Sequence, residues 1–437
     1  MLKKILKSLV VISLVIVSYA NVFAYEDFNV SLNSPIALVY SLSSKTMIYE
    51  KDIHKRYAPA SLTKMMTAII ALENSKVDNE IKINSTMFVG LDEASLARIK
   101  TGETYSVLDL LYGLMLPSGG DAANALAIGI SGSVGNFVDL MNKKVMELGL
   151  KDTNFVNVHG LDAQNQFSTA YDLLKIMEYG LNNPYFRQII STKKHTTSSG
   201  LEFTHTISNL FESSPYYSKY VIGGKTGYTT AAGRCLAIVS DVNGGEVISI
   251  TLGASTNGNN FPYSFIDGKD IVDYSITNYR HQKVFDANQV VERLNIKNTL
   301  LNYKYELFFN EDIYALLDKN MIDTNTTYIT DITKGIAPIK QGEKIGTLTI
   351  VNNGVELRTL DLIASEDIKE SMFMVAVNGF VDIFMKFWYI FLVVFVGIIY
   401  LVLRYQKKCL HRKRLLERKK RKPIKPQPNR DKRANSN

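Results

Sequence analysis

The chain has 437 residues and a formal net charge of +8, a balance that at first sight suggests a nucleic-acid partner. The surplus is local: Arg404 to Asn437 holds fifteen Lys/Arg against two Asp/Glu, a net of +13, and Lys3, Lys4 and Lys7 add +3, leaving about −8 between them. The part long enough to bury a core is therefore acidic, which excludes nucleic acid, and two cysteines, Cys235 and Cys409, on opposite sides of an apolar stretch exclude a disulfide framework.

Residues 1–24 read as a secretion signal. Lys3, Lys4 and Lys7 precede an apolar run from Leu9 to Val17, short for a membrane span, and Val22-Phe23-Ala24 sets small residues at a cleavage site, so the mature chain begins at Tyr25. Ile36 to Tyr40 and Met47 to Tyr49 then predict an opening hairpin.

Ser61-Leu62-Thr63-Lys64 starts the next element. Apolar residues follow at Leu62, Met65, Met66, Ile69 and Ile70, the spacing of a helix with one buried face, over about Leu62 to Asn74. Three residues are less than one turn, so Ser61 and Lys64 project from the same side. A serine hydroxyl is scarcely ionised at neutral pH and needs a base in reach; a lysine can be that base only if its pKa is depressed.

Further helices are predicted at Val107 to Met115, Asp121 to Ile128, Val134 to Glu147 and Ala170 to Asn182. Ser118, in Leu116-Pro117-Ser118-Gly119-Gly120, lies in a Pro/Gly loop between two of them; alone it is a turn serine. Gly223-Gly224-Lys225-Thr226-Gly227 leads towards the strand-like Leu236 to Val239, and Lys225 is a second cation that would favour a neutral Lys64. Two decoys carry the same letters. Lys100-Thr101-Gly102 is a loop ahead of a helix, and Ser191-Thr192-Lys193-Lys194 runs into a polar stretch with no apolar stripe. The six histidines show no metal-ligand spacing, so neither metal nor cofactor is expected, and His159 reads as a turn residue.

The ordered set Ser-x-x-Lys, Ser-Gly-x and Lys-Thr-Gly resembles the serine-type low-molecular-mass penicillin-binding proteins, the D-alanyl-D-alanine carboxypeptidases. Asn157-Val158-His159-Gly160-Leu161, Ser168-Thr169-Ala170-Tyr171-Asp172 and Tyr228-Thr229-Thr230-Ala231-Ala232-Gly233 extend the likeness, which runs from about Ser34 to Leu362. The resemblance implies an α/β (α+β) fold of the serine transpeptidase/β-lactamase kind, an antiparallel sheet flanked by helices. It implies Ser61 as acylated nucleophile, Lys64 as general base, Ser118 as proton relay, and Lys225, Thr226, Gly227 and Tyr228 around the substrate. The backbone N–H groups of Ser61 and Tyr228 would form the oxyanion hole, and Asn209 resembles a family asparagine near the substrate. Partners implied are the peptidoglycan stem pentapeptide and β-lactams that acylate the serine. Three positions depart from the family pattern: Gly120, which the resemblance places at the substrate, stands where Asn is usual, Gln166 where His is frequent, and Glu246 where a basic residue is frequent, with Arg234 as a replacement charge.

The catalytic domain is expected over 25–279 and a small β-rich domain over 280–369, where Lys344 to Val351 alternates and Asn352-Asn353-Gly354 turns into Val355 to Leu357. Phe387 to Leu403 carries no charge, so residues 380–403, after a linker, are predicted to span the bilayer, with 404–437 as a basic cytoplasmic tail and the large N-terminal part outside. The leading expectation is a membrane-anchored D-Ala-D-Ala carboxypeptidase. A D,D-endopeptidase and a β-lactamase-like hydrolase use the same chemistry; the second β domain and the anchor oppose the latter. A catalytically weakened penicillin-binding sensor is the alternative of another class, suggested by Gly120 and opposed by the intact Ser61, Lys64 and Lys225.

Overall fold

A computed structural model describes residues 28–256, 262–300, 304–319, 326–352 and 355–420. The expected secretion signal, residues 301–303, the tip of the expected Asn-Asn-Gly turn and the tail beyond 420 lie outside the described residues. In chain order the elements are β1 (Ile36–Ser41), β2 (Thr46–Lys51), α1 (Thr63–Asn74), β3 (Glu80–Lys82), β4 (Thr104–Ser106), α2 (Val107–Met115), α3 (Gly120–Ser131), α4 (Val134–Glu147), α5 (Ala170–Gly180) and α6 (Pro184–Ser191). They continue with β5 (Lys194–Thr196), β6 (Glu202–Thr204), β7 (Val221–Thr229), β8 (Gly233–Val242), β9 (Gly245–Ala254) and α7 (Tyr263–Asn278).

Five strands form one antiparallel sheet in the order β2-β1-β9-β8-β7. The chain starts the sheet, leaves it for the helices, and returns to complete it. All six residues of β1 are buried, and all but two of β9. A sheet covered on both faces needs apolar side chains in both directions, hence continuous runs rather than alternation. In β8, Ala237 and Val239 join the cluster holding Leu62, Met65 and Leu110, while Leu236 and Ile238 pack with Phe265 and Val272 of α7. The β8–β9 turn places Asn243 and Gly244 at positive φ, +48° and +91°, as a two-residue hairpin of matching twist requires.

The helices begin where the sequence offers a cap. Ser106, Ser133 and Thr169 accept from backbone N–H groups of α2, α4 and α5. Helices α6 and α7 were not among the predicted elements. The signal for α6 is present: Asn183 accepts from Tyr185 and Phe186 N–H, with Pro184 at the first helical position. Helix α7 has no side-chain cap, so its start is not marked in the sequence.

From Tyr279 to Ile363 the elements among the described residues are strands: β10 (Tyr279–Phe285), β11 (Val290–Leu294), β12 (Tyr305–Phe308), β13 (Ile313–Asp318), β14 (Thr326–Ile332), β15 (Lys344–Asn352) and β16 (Val355–Ile363). The strands pair as β10-β13, β11-β12 and β14-β15-β16. By contacts the chain divides into two compact units. One reaches through Glu292 and takes in Glu306–Thr333 and Ile345–Leu362; the other takes in Arg293–Tyr305, Lys334–Lys344 and the chain from Ile363. The last helix, α8 (Met372–Lys420), has 49 residues, about 74 Å at 1.5 Å per residue. It is long and apolar enough to cross a membrane, and its apolar window is not buried by protein, which makes it a candidate anchor. It already begins at Met372, so the segment expected as a linker before residue 380 is helical.

Candidate active site

Ser61 lies in a single 3-10 turn, Ala60–Leu62, that runs directly into α1. Lys64 follows in the first turn of that helix, and its Nζ is 2.9 Å from Ser61 Oγ. The same amine donates to the His159 carbonyl at 2.5 Å. Lys64 is 2% exposed. Burial lowers its pKa to about 7, with the Asp121 carboxylate pulling the other way. The sequence points to Lys225 as what depresses Lys64; the cause found here is burial. The repulsion between the two amines is felt at Lys225, held well below the usual lysine range by burial first and by Lys64 second.

Lys225 is fully buried on β7. Its Nζ donates to Ser118 Oγ and to the Thr226 carbonyl, each at 2.9 Å. The structure thus brings together two lysine–serine pairs, and Ser61, Lys64 and Ser118 face one cleft of about 270 Å³ with Thr226, Gly227 and Tyr228. Ala60 and Ser118 both stand at positive φ, +47° and +64°. That region is unfavourable for residues with a Cβ by about 1–3 kcal/mol each and persists where surrounding contacts over-determine the backbone. Gly227 has its own reason: a Cβ there would stand 3.1 Å from Ala60 Cβ and 3.3 Å from the Pro59 carbonyl oxygen, so any side chain would press on the nucleophile's turn, and glycine lets β7 run this close without that shift.

Around these pairs the wall is polar. Thr226 Oγ1 shares a hydrogen bond of 2.7 Å with Thr206 Oγ1. Arg234 pairs opposite Tyr228 across β7 and β8, with its guanidinium 5.4 Å from the ring centroid, and lines the cleft. Glu246 instead forms an ion pair with Arg187. Cys235 also lines the cleft, but burial raises its thiol to about 12, so it stands as a neutral small side chain. His159 and His205 are held neutral, at about 4 and about 3, each by burial first; the second cause is Lys64 for His159 and Lys225 for His205. Among the described residues no group of His, Cys, Asp and Glu is arranged to hold a metal ion.

Three expected substrate residues are not in the cleft lining: Lys225, buried behind it, Asn209 and Gly120. Asn209 is fully buried, and its amide donates to the Tyr216 and Phe265 carbonyls, which makes it a scaffold for the segment before β7. Gly120 donates its N–H to the Ser95 carbonyl at 2.7 Å. A Cβ at 120 would meet Ala94 Cβ at 2.9 Å and Leu91 Cδ2 at 3.0 Å, so the 91–95 loop fills the space beside it. That loop, through Glu93, Ala94 and Ser95, is part of the cleft, a contribution no sequence pattern announced. Asp121 holds the loop's continuation, accepting from Ala97 and Ile99 N–H. The decoys fall elsewhere: Ser191 Oγ donates to the Gln188 carbonyl at the end of α6, and Lys100-Thr101-Gly102 forms a turn with Gly102 at φ +88°.

Comparison with known proteins follows this geometry. Residues 24–256 match the family model for D-alanyl-D-alanine carboxypeptidase, Peptidase S11, and residues 279–370 match the C-terminal domain of penicillin-binding protein 5. The chain is 28% identical to the D-alanyl-D-alanine carboxypeptidase DacF of Bacillus subtilis over 85% of this chain and 96% of that one. It is 30% identical to DacD of Escherichia coli over 73% of this chain and 83% of that one. Among solved structures, penicillin-binding protein 5 from Haemophilus influenzae superposes with a TM-score of 0.69 at 25% identity, covering 78% of this chain and 99% of that one.

Proposed function

The chain belongs to the D-alanyl-D-alanine carboxypeptidase family of serine peptidases, and from that premise we propose a membrane-anchored enzyme that removes the terminal D-alanine of peptidoglycan stem pentapeptides through an acyl-enzyme on Ser61. The observation that carries this reading is the pair of contacts Lys64 Nζ–Ser61 Oγ and Lys225 Nζ–Ser118 Oγ, both 2.9 Å, at one cleft.

In the proposed course, neutral Lys64 takes the Ser61 proton as Oγ attacks the carbonyl of the penultimate D-alanine. The backbone N–H groups of Ser61 and Tyr228 stabilise the oxyanion, each worth about 3–4 kcal/mol by comparison with other acyl-transfer sites. The proton passes through Ser118 to the departing D-alanine amine, and water then releases the acyl group. Thr226 and Arg234 take the substrate's terminal carboxylate; Lys225 holds the relay serine in place through its hydrogen bond to Ser118 Oγ. Gly227 admits the substrate beside the strand. A β-lactam enters the same course and stays on Ser61.

The proposed organisation is a signal over 1–24, a catalytic domain over 25–279, a β-rich spacer over 280–369, an anchor within α8 and a cytoplasmic basic tail over 404–437, where anionic lipid headgroups suit its charge. Two measurements test the reading. A peptide ending in D-Ala-D-Ala should lose one free D-alanine, and labelled penicillin should map to the peptide carrying Ser61. A chain ended after Glu370 should be secreted in soluble, active form. Hydrolysis of a cross-linked dimer in preference to the pentapeptide would favour the D,D-endopeptidase, rapid turnover of the penicillin the β-lactamase-like hydrolase, and labelling without D-alanine release the sensor.

A further inference from the structure

A lysine base has a positional requirement beyond its pKa. A neutral amine carries two N–H bonds and one lone pair, and the lone pair must face the serine hydroxyl. Rotation about the last side-chain bonds of Lys64 would move it away. One N–H is taken by the His159 carbonyl at 2.5 Å, so whatever fixes that carbonyl fixes the direction of the lone pair.

His159 sits in a turn with no regular secondary structure, and the turn is bracketed by one side chain. Asn157 Oδ1 accepts from Gly160 N–H at 2.7 Å, and Asn157 Nδ2 donates to the Leu161 carbonyl at 2.9 Å. Gly160, at φ +87°, lies where a Cβ would come within 1.9 Å of the Ala60 carbonyl oxygen, so the turn rests directly on the backbone before Ser61. Asn157 is clamped in turn by Gln166, which is buried. Gln166 Oε1 accepts from Val156 N–H at 2.7 Å and Asn157 N–H at 3.3 Å. Gln166 Nε2 donates to Asn157 Oδ1 and to Thr63 Oγ1, both at 3.2 Å. All four hydrogen-bonding positions of the Gln166 amide are used.

Thr63 precedes Lys64 in the chain, so the contacts close a ring: Lys64, Thr63, Gln166, Asn157, the His159 carbonyl, and Lys64 again. We propose that Gln166 and Asn157 are positioning residues that aim the Lys64 lone pair at Ser61 through the His159 carbonyl. This rests on the reading that Ser61 is acylated with Lys64 as base. The arrangement also gives the base an orienting partner in a site where position 120 presents no side chain to it. The buried amide ring does for this lysine what a buried carboxylate does for the histidine of a serine triad: it holds the base by a group that never touches substrate.

The test uses the full chain and labelled penicillin. Gln166→Met keeps the volume and removes all four hydrogen bonds; Gln166→Glu keeps the acceptor and loses the donor to Thr63 and Asn157. The acylation rate constant should fall between about ten- and a hundredfold in Gln166→Met, as for a misplaced reacting group, and less in Gln166→Glu, with the dissociation constant of the first, non-covalent complex unchanged. The decisive measurement is a double-mutant cycle with Lys64→Ala. Acting through Lys64, Gln166→Met should leave the residual acylation of Lys64→Ala unaltered. An equal fold-loss in both backgrounds, or wild-type acylation in Gln166→Met, would overturn the proposal. Should Gln166→Met not fold, the same cycle is read with Gln166→Glu. Absence of label on Ser61 in the wild type would instead overturn the reading beneath it.

Discussion

The two β-rich regions of this molecule are built on opposite plans. In the sheet β2-β1-β9-β8-β7 only the edge strand β2 lacks a buried residue; the strands within it are covered on both faces, and β1 is buried at every residue. In the β14-β15-β16 sheet, β14 has no buried residue, and β15 alternates between buried and half-buried over its middle residues. Only the first plan can carry the chemistry. Lys225 lies on β7 with no exposure, and burial there holds its amine well below the usual lysine range. A one-sided sheet supports a shape; a two-sided sheet also supplies a medium.

The largest effect expected from breaking this arrangement is at the base. Lys64→Ala should slow acylation by about 10²- to 10⁴-fold, and Ser61→Ala should abolish it, with circular dichroism unchanged. Label persisting in Ser61→Ala would remove the assignment. Next comes pH. A protonated amine has no lone pair, and the Lys64 pKa is lowered to about 7. The acylation rate should therefore fall about tenfold per unit below pH 7 and level off above it, and a profile flat from pH 5 to 9 would contradict the role.

Stability should separate the two regions as sharply. Leu38→Ala in β1, where the side chain is fully buried, should cost about 2–5 kcal/mol in denaturant unfolding. Gly120→Asn should cost about 1–3 kcal/mol, since the new side chain meets Ala94 and Leu91 and must push the 91–95 loop off the cleft. A gain in acylation rate with no loss of stability in that variant would show that the loop yields freely. At the small end, Ile329→Ala in β14, a side chain 60% exposed, should change stability by no more than about 0.5 kcal/mol. A loss as large as that of Leu38→Ala would mean that β14 is covered in solution.

Much of this was legible from residue order. The helix behind Ser61, the hairpins at β1–β2 and β8–β9, and the apolar helix near the C-terminus each follow from a local pattern: a period of 3.6, an alternation or run bounded by turn residues, a length without charge. The decoy motifs at Ser191 and Lys100 were separable by the same means, because context within ten residues differs. Helix α7 was not legible, since it lacks a side-chain cap and its buried face mixes Phe265 and Val272 with Ser264, Asp267 and Gly268. Nor were the positions of Gly120 and Asn209, where the family likeness suggested substrate contact and the packing directs them elsewhere.

The amino-acid sequence by itself determined which groups could react, because a serine and a lysine three apart at a helix start face one way whatever surrounds them. It also determined that one helix near the C-terminus is suited to a membrane, through composition alone. Only the tertiary structure decided what depresses Lys64, since burial is a property of the atoms packed around an amine and not of its neighbours in the chain. Only the tertiary structure, too, joined Gln166 to Thr63 and Asn157 to Gly160, closing a ring around a base whose direction no spacing specifies. Contacts between residues up to 103 positions apart depend on how the intervening chain folds back, and that is a sum over the whole core rather than a local pattern.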